Sequence, residues 1–272
     1  MLNYYTKRNN DLLNTPFIMP KNRHKLAIVY FIQLEAIAIE METLTFEQLP
    51  QGGFAGLIER RFVINQALFG SSNTIAFAGL GNFVYLADAN FLPHGETKMH
   101  SHKEVDVISV MVSGDIIHQG SLGHGERLTA GSVQVQRAGA ECLSHNEINP
   151  NAHQNHMIQL WVLPEQLGQA AAYQHYHPKQ GEYINVYGGH EAQKTNFNNT
   201  ISVSVSNTVV QQSINIAGEA MVYLSIGTAE INGEVIQART LVHDKQGLTF
   251  TALAEGQAIF IYKSDQKNEA LS

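Results

Sequence analysis

The chain has 272 residues, 44% of them hydrophobic, with 17 Lys and Arg against 24 Asp and Glu for a formal net charge of −7. That apolar content builds a real core and excludes disorder as the main state, while the acidic balance excludes nucleic-acid binding through a general basic field. Only 15% of residues are charged, yet 13 are His, which directs the search toward imidazole metal ligands.

In the first 40 residues a basic cluster from Lys21 to Lys25 precedes an apolar stretch, Leu26 to Ile39, that Gln33 and Glu35 interrupt. The stretch is too short and too broken for a membrane span, and Glu35 and Glu40 spoil a secretory signal. Residues 1–40 therefore read as an N-terminal extension, with the first domain starting at Met41. A single cysteine, Cys142, excludes an intrachain disulfide framework and a thiolate zinc cluster; it reads as core filler and fits a cytoplasmic location.

From Phe62 onward short β-branched or alternating segments are cut by Gly, Asn and Asp. Strands are expected at Thr74 to Ala78, Phe83 to Ala87, Val105 to Val112, Asp115 to Gln119, Ser132 to Gln136 and Met157 to Val162. Glycines at Ser113-Gly114-Asp115 and in Leu122-Gly123-His124-Gly125 supply the positive φ of tight turns. Pro164 to Gln180, rich in Gln and Ala, reads as a short helix within an interdomain crossing. A second run of strands is expected at 200–206, 209–214, 220–226, 229–231, 234–236, 240–243, 248–252 and 258–262, with Asn232-Gly233 as a two-residue hairpin turn. The two halves repeat an architecture, which predicts an all-β molecule of two related β-barrels in tandem. The division expected is 41–165 for the first barrel, 166–185 for the crossing, 186–265 for the second barrel and 266–272 for a tail.

His100-Ser101-His102 stands at the head of an expected strand, where residues two apart share a face. His145-Asn146-Glu147 repeats that spacing with a carboxylate in second place. Two such pairs from separate strands can surround one divalent transition metal with three nitrogens and one oxygen, a donor set that suits Fe(II), with Mn, Co, Ni, Cu or Zn as competitors.

These residues carry a resemblance. His100-Ser101-His102, Asp106, Gly114, Gly131 and His145-x-Glu147 resemble the paired motifs of the cupin superfamily, and more narrowly those of pirins and pirin-like bicupins. Arg60-Arg61 upstream, Ile117 to Gly123, Ala138-Gly139 and Met157 to Val162 add to the likeness. It implies two jelly-roll-like cupin domains, of which only the N-terminal one holds metal, commonly iron, at the positions matching His100, His102, His145 and Glu147. It also implies a quercetin dioxygenase-like activity on flavonol-like or related phenolic or enol substrates with O2; for such a phenol, a carboxylate in or beside the shell, Glu147 first, is the candidate catalytic proton acceptor. Two other readings remain open: a non-enzymatic metal-responsive or redox-responsive regulator that binds a protein partner, and a degenerate bicupin without metal. Neither nucleic acid nor membrane is an expected partner.

Gly131 to His145 is one residue longer than the usual pirin spacing, and an extra residue within a strand turns every later side chain to the opposite face. The competing register puts Ser144 inward and His145 outward. His118 and His124 read as solvated residues flanking a surface turn, His153 and His156 as loop surface, and His175 and His177 as structural, while Trp161, Phe83 and Met111 read as core. The second half offers only His190 and His243 and no His-x-His.

Overall fold

The computed structural model describes residues 41–70, 75–189, 197–264 and 268–271. The expectations for residues 1–40, for Thr74 and for His190 lie outside the described residues.

The first strands in chain order are β1 (Glu42–Thr45), β2 (Gly52–Phe54), β3 (Leu57–Ile64), β4 (Phe83–Phe91), β5 (His100–His102) and β6 (Asp106–Ser113). They continue with β7 (Asp115–Gly120), β8 (Arg127–Thr129), β9 (Val133–Arg137), β10 (Leu143–Ile148), β11 (His156–Val162) and β12 (Ala172–Tyr176). Then come β13 (Tyr183–Tyr187), β14 (Ile201–Thr208), β15 (Ser213–Ala217), β16 (Ala220–Ile226) and β17 (Thr228–Ile231). The last are β18 (Glu234–Gln237), β19 (Thr240–Asp244), β20 (Gly247–Ala252), β21 (Gly256–Lys263) and β22 (Asn268–Leu271). These strands form four antiparallel sheets, ordered β12-β9-β6-β11-β4-β3-β2, β5-β10-β7-β8, β1-β19-β16-β21-β14-β13 and β18-β17-β20-β15-β22. The all-β, two-part architecture is as the sequence predicts. Among the described strands each half is a sandwich of two sheets rather than a barrel closed on itself.

Alternation along the strands explains the layering. In β6, Ile108, Val110 and Val112 face the main core, while Ser109 and Met111 face the interior of the first sandwich; in β9, Val133 and Val135 alternate likewise with Gln134 and Gln136. The main core lies between the seven-stranded and six-stranded sheets, where Phe62, Leu86 and Ile108 meet Val203, Tyr223 and Ile259, so it joins the two halves. The second sandwich is filled by its own apolar cluster, including Val222, Leu224, Phe250 and Phe260. The first keeps only a smaller one around Phe91, Met111, Ile116 and Leu128, and its remaining interior is polar or hollow.

Some expectations are corrected. No helix forms over Pro164 to Gln180: the one α-helix among the described residues is the single turn α1 (Gln66–Phe69), and Ala172–Tyr176 is instead β12, paired along the edge of the seven-stranded sheet with β9. Edge pairing supplies backbone hydrogen bonds that outweigh the intrinsic helix preference of Gln and Ala. Residues 75–78 form no strand, and Phe77 makes only an isolated bridge to Val63. Val209 to Gln212 turn rather than extend, so that strand starts at Ser213. Cys142 is exposed, with φ of 68°, in the turn before β10. Asn232-Gly233 makes the expected hairpin, with both residues at positive φ and Ile231 paired to Glu234. β1 pairs with β19, so the start of the described chain completes a sheet of the second half.

Candidate metal centre

Three short strands bring the histidines together. β10 lies between β5 and β7, with His145 opposite His100 on one side and Gly120 on the other. Gly120 is required there, because a Cβ would stand 2.5 Å from the Ser144 carbonyl oxygen and 2.9 Å from His145 Cβ. The turn over 138–142, with Gly139 and Cys142 left-handed, lies wholly between β9 and β10, so the longer spacing is accommodated before β10 begins. His145 consequently points inward and is fully buried, while Ser144 turns away to hydrogen bond with Ser101 at 2.8 Å.

His145 Nε2 lies 3.1 Å from His102 Nε2 and 3.0 Å from His100 Nε2. Imidazole nitrogens each about 2.1 Å from one ion, at right angles, stand about 3.0 Å apart. His100 Nδ1 donates to the Lys98 carbonyl at 2.8 Å, which leaves its Nε2 lone pair aimed at the cluster. Burial, with the neighbouring histidines adding to it, pushes His145 down to about 2 and His102 down to about 4, so both are neutral donors at neutral pH. Gln136 lies 3.5 Å from His145 Nδ1 and has a buried oxygen without a partner. Turned so that this oxygen accepts from Nδ1–H, the amide is satisfied and His145 Nε2 is bare. Three bare imidazole nitrogens packed this closely fit a cation better than one another.

Glu147, two residues on along β10, is fully buried. Its Oε1 accepts from Ser109 Oγ at 3.2 Å and from Gln134 Nε2 at 3.1 Å, and its Oε2 from Gln159 Nε2 at 3.4 Å. Burial pushes its carboxyl up to about 7, against a smaller opposing effect of the Ser109 hydrogen bond. Ligand atoms of His100, His102 and His145 lie within 4.8 Å of one another; Glu147 forms a second such group with His118 and His145. All four residues expected from the sequence thus reach one region, with Glu147 on its inner side.

His118 corrects the surface reading, being fully buried beside His145 with ring centroids 5.4 Å apart. Its sequence signal was present in the alternation of Ile117, His118 and Gln119 along a strand, which assigns His118 to one face. His156 is not loop surface either: it donates through Nε2 to buried Asp88 at 2.9 Å. Asp106 points away from the histidines, toward Arg137 and toward Tyr187 Oη at 2.8 Å. Trp161 is not sealed core but a wall of the site.

A cavity of about 490 Å³ opens on the cluster, lined by His100, His102 and Glu147 at one end. Its side is aromatic: Trp161 meets His102 edge-on at 5.1 Å and stacks on Tyr85 at 4.7 Å, and Phe69 leans on both. Glu59 and Arg61 complete the wall, joined at 2.7 Å, with Tyr85 Oη donating to Glu59 at 2.9 Å. Among the described residues no helix is long and apolar enough to cross a membrane.

This fold and site define a bicupin with a candidate His/Glu metal centre in its first half. The pirin family model matches residues 72–162, which hold the whole cluster. It is 39% identical to a putative quercetin 2,3-dioxygenase of Pasteurella multocida over 28% of this chain and 33% of that one. A putative quercetin 2,3-dioxygenase of Pseudomonas aeruginosa is 28% identical over 60% of this chain and 75% of its own. Among solved structures, a bacterial pirin from Escherichia coli in complex with nickel(II) superposes with a TM-score of 0.69 at 17% identity, covering 82% of this chain and 98% of that one. The match thus spans only a third of the Pasteurella relative, and the structural likeness shows the fold.

Proposed function

We propose that this chain is a metal-dependent dioxygenase for planar enol or phenol substrates of the flavonol type, with O2 as co-substrate. The observation that carries the reading is the convergence of three imidazoles, two of which (His100 and His102) line a 490 Å³ cavity whose side is aromatic. Substrate cavities of this size with few convergent polar groups suit a drug-sized planar molecule.

His100, His102 and His145 would hold the ion, with Glu147 as fourth donor. Fe(II) is the first choice for this donor set; nickel(II), as in the Escherichia coli pirin complex, and Mn, Co, Cu or Zn are the competitors. When bound, the ion supplies Lewis acidity toward a substrate oxygen and a redox-active contact for O2. Trp161, Tyr85 and Phe69 orient the flat ring system by face and edge contact. Glu147, buried beside the histidines and hydrogen-bonded by Ser109 and Gln159, is the acceptor for the substrate hydroxyl proton. The apolar remainder of the wall, Leu57, Ala89 and Met157, limits water around that proton.

The test is oxygen uptake with quercetin by protein loaded in turn with Fe(II) and Ni(II), beside chelator-treated protein and a His100→Ala variant. Uptake that falls to the no-enzyme rate in the last two supports the proposal, and equal rates in wild type and variant refute it. Metal analysis adds a second criterion: below about a tenth of an equivalent after loading, the donor set does not hold an ion.

A further inference from the structure

We propose that His118 is a metal ligand through Nδ1, forming with His145 and Glu147 an inner cation position that is an alternative to the outer three-imidazole set for one ion, since His145 has a single lone pair to offer. This rests on the metal-centre reading above and extends it to a residue outside the His-x-His and His-x-Glu pairs.

Three observations carry it. First, the tautomer of His118 is fixed: Nε2 donates to the Leu122 carbonyl at 2.8 Å, so Nδ1 bears the lone pair. Second, that Nδ1 is buried and has no hydrogen-bond partner, on a side chain with no exposed surface. A buried acceptor left unpaired costs about 1–3 kcal/mol, so a fold that keeps one beside a histidine cluster has a use for it. Third, one ligand atom from each of His118, His145 and Glu147 falls within 4.8 Å of the others, and all three residues are fully buried. The register makes this local: His118 stands directly opposite Glu147 across β7 and β10, so both project to the same side, and Gly120 lets the two strands close beside His145.

The two donor sets differ in chemistry. The outer set is three nitrogens, two of them on His100 and His102, which line the cavity beside Trp161. The inner set is two nitrogens and one carboxylate oxygen, away from solvent. A borderline divalent transition metal suits both, whereas Ca2+ and Mg2+, which take oxygen donors, suit neither. The inner position meets the cavity only through Glu147, and the outer one meets it through His100 and His102.

The experiment uses the full chain labelled with 15N-histidine and loaded with 113Cd(II), a spin-active stand-in for the native ion. Scalar coupling from 113Cd to His118 Nδ1, together with coupling to His145, is the expected result. Coupling to His100, His102 and His145 without His118 overturns this inference and leaves the outer site standing. Absence of coupling to any of the four removes the metal centre and the inference together. As a second measurement, His118→Ala is expected to weaken Cd(II) binding at least tenfold in competition with a chromophoric chelator. Unchanged affinity in that variant counts against His118 as a ligand.

Discussion

Asp88→Asn tests how the two halves are held together. Asp88 lies on β4, one residue from cavity-lining Ala87 and Ala89, and is fully buried. It accepts from His156 Nε2 at 2.9 Å within its own half, and from Arg239 Nε at 2.9 Å and the Tyr223 hydroxyl, both of the second half. Arg239 is in turn stacked 3.3 Å over Phe46. Breaking a buried pair by removing one charge costs about 3–5 kcal/mol; because the Arg239 side chain is 31% exposed, solvent returns part of this. About 2–4 kcal/mol is expected, or roughly 5–15 °C in Tm for a chain of this size. Burial alone would raise the Asp88 carboxyl, yet the hydrogen bonds from His156, Arg239 and Tyr223 together leave it below its ordinary value of 3.8. A carboxylate lowered in the folded state adds stability that is present above its unfolded value and disappears as pH falls through the folded one. The Tm gap between wild type and variant therefore holds from pH 7 to about 4 and closes below it. Calorimetry of metal-free protein across that range measures it. A gap under about 1 °C at pH 7, or one that persists unchanged well below pH 3, refutes the role given to Asp88.

Other outcomes follow from the same geometry. Trp161 is the one tryptophan in the chain and touches His102, so Ni(II) or Co(II) titration quenches its emission with a one-to-one end point; unaltered emission at saturating metal separates Trp161 from the site. In metal-free protein His102 and His145 are lowered from 6.5, so the unfolded chain takes up their protons first and stability falls as pH drops below 6.5. Glu147, raised to about 7, acts oppositely, stabilising at low pH and losing that contribution as pH rises through 7. Two protons against one leave about 1.4 kcal/mol per pH unit from these three groups near pH 5.5. The Tm of Glu147→Gln then falls more steeply than that of wild type between pH 6.5 and 5, and parallel slopes contradict the placement of Glu147. Phe260→Ala, in the filled interior of the second half, costs about 3–5 kcal/mol while metal stoichiometry measured below the new Tm stays the same; loss of metal binding there shows that the second half does more than support.

Much of the fold was legible because alternation and turn glycines are local signals. Val133-Gln134-Val135-Gln136 shows its two faces in four residues, and Asn232-Gly233 fixes a hairpin without reference to the rest of the chain. His100-x-His102 was legible for the same reason. The register of His145 was not, since a spacing cannot say whether an extra residue falls within a strand or in the turn before it; Gly139 and Cys142, both left-handed, put it in the turn. Nor was the pairing of β1 with β19 or of β12 with β9. Each joins segments whose own residues carry no mark of the partner, and in Ala172–Tyr176 the local helix preference even points the wrong way. His118 was missed because its neighbours Gly120 and Gly123 suggest a turn, whereas the burial comes from β10 closing over it.

The difference between the halves lies on the inward faces of otherwise similar sandwiches. Where the second half sets Val222, Leu224, Phe250 and Phe260, the first sets Ser109, Gln134, Gln136, His145 and Glu147. Such groups are stable in an interior only when bonded to one another, and here Tyr173 holds Gln134, Gln134 holds Glu147, and Gln159 holds both Glu147 and Trp161. That network fixes the donors in place but gives the first half little apolar burial of its own. The missing burial is recovered at the sheet-to-sheet core, where Phe62 packs edge-on against Tyr223 at 4.9 Å and the outer faces of β6, β9 and β11 are covered by the second half. A hollow, polar interior in one sandwich thus depends on a filled one behind it, which gives the second half a physical reason to be present.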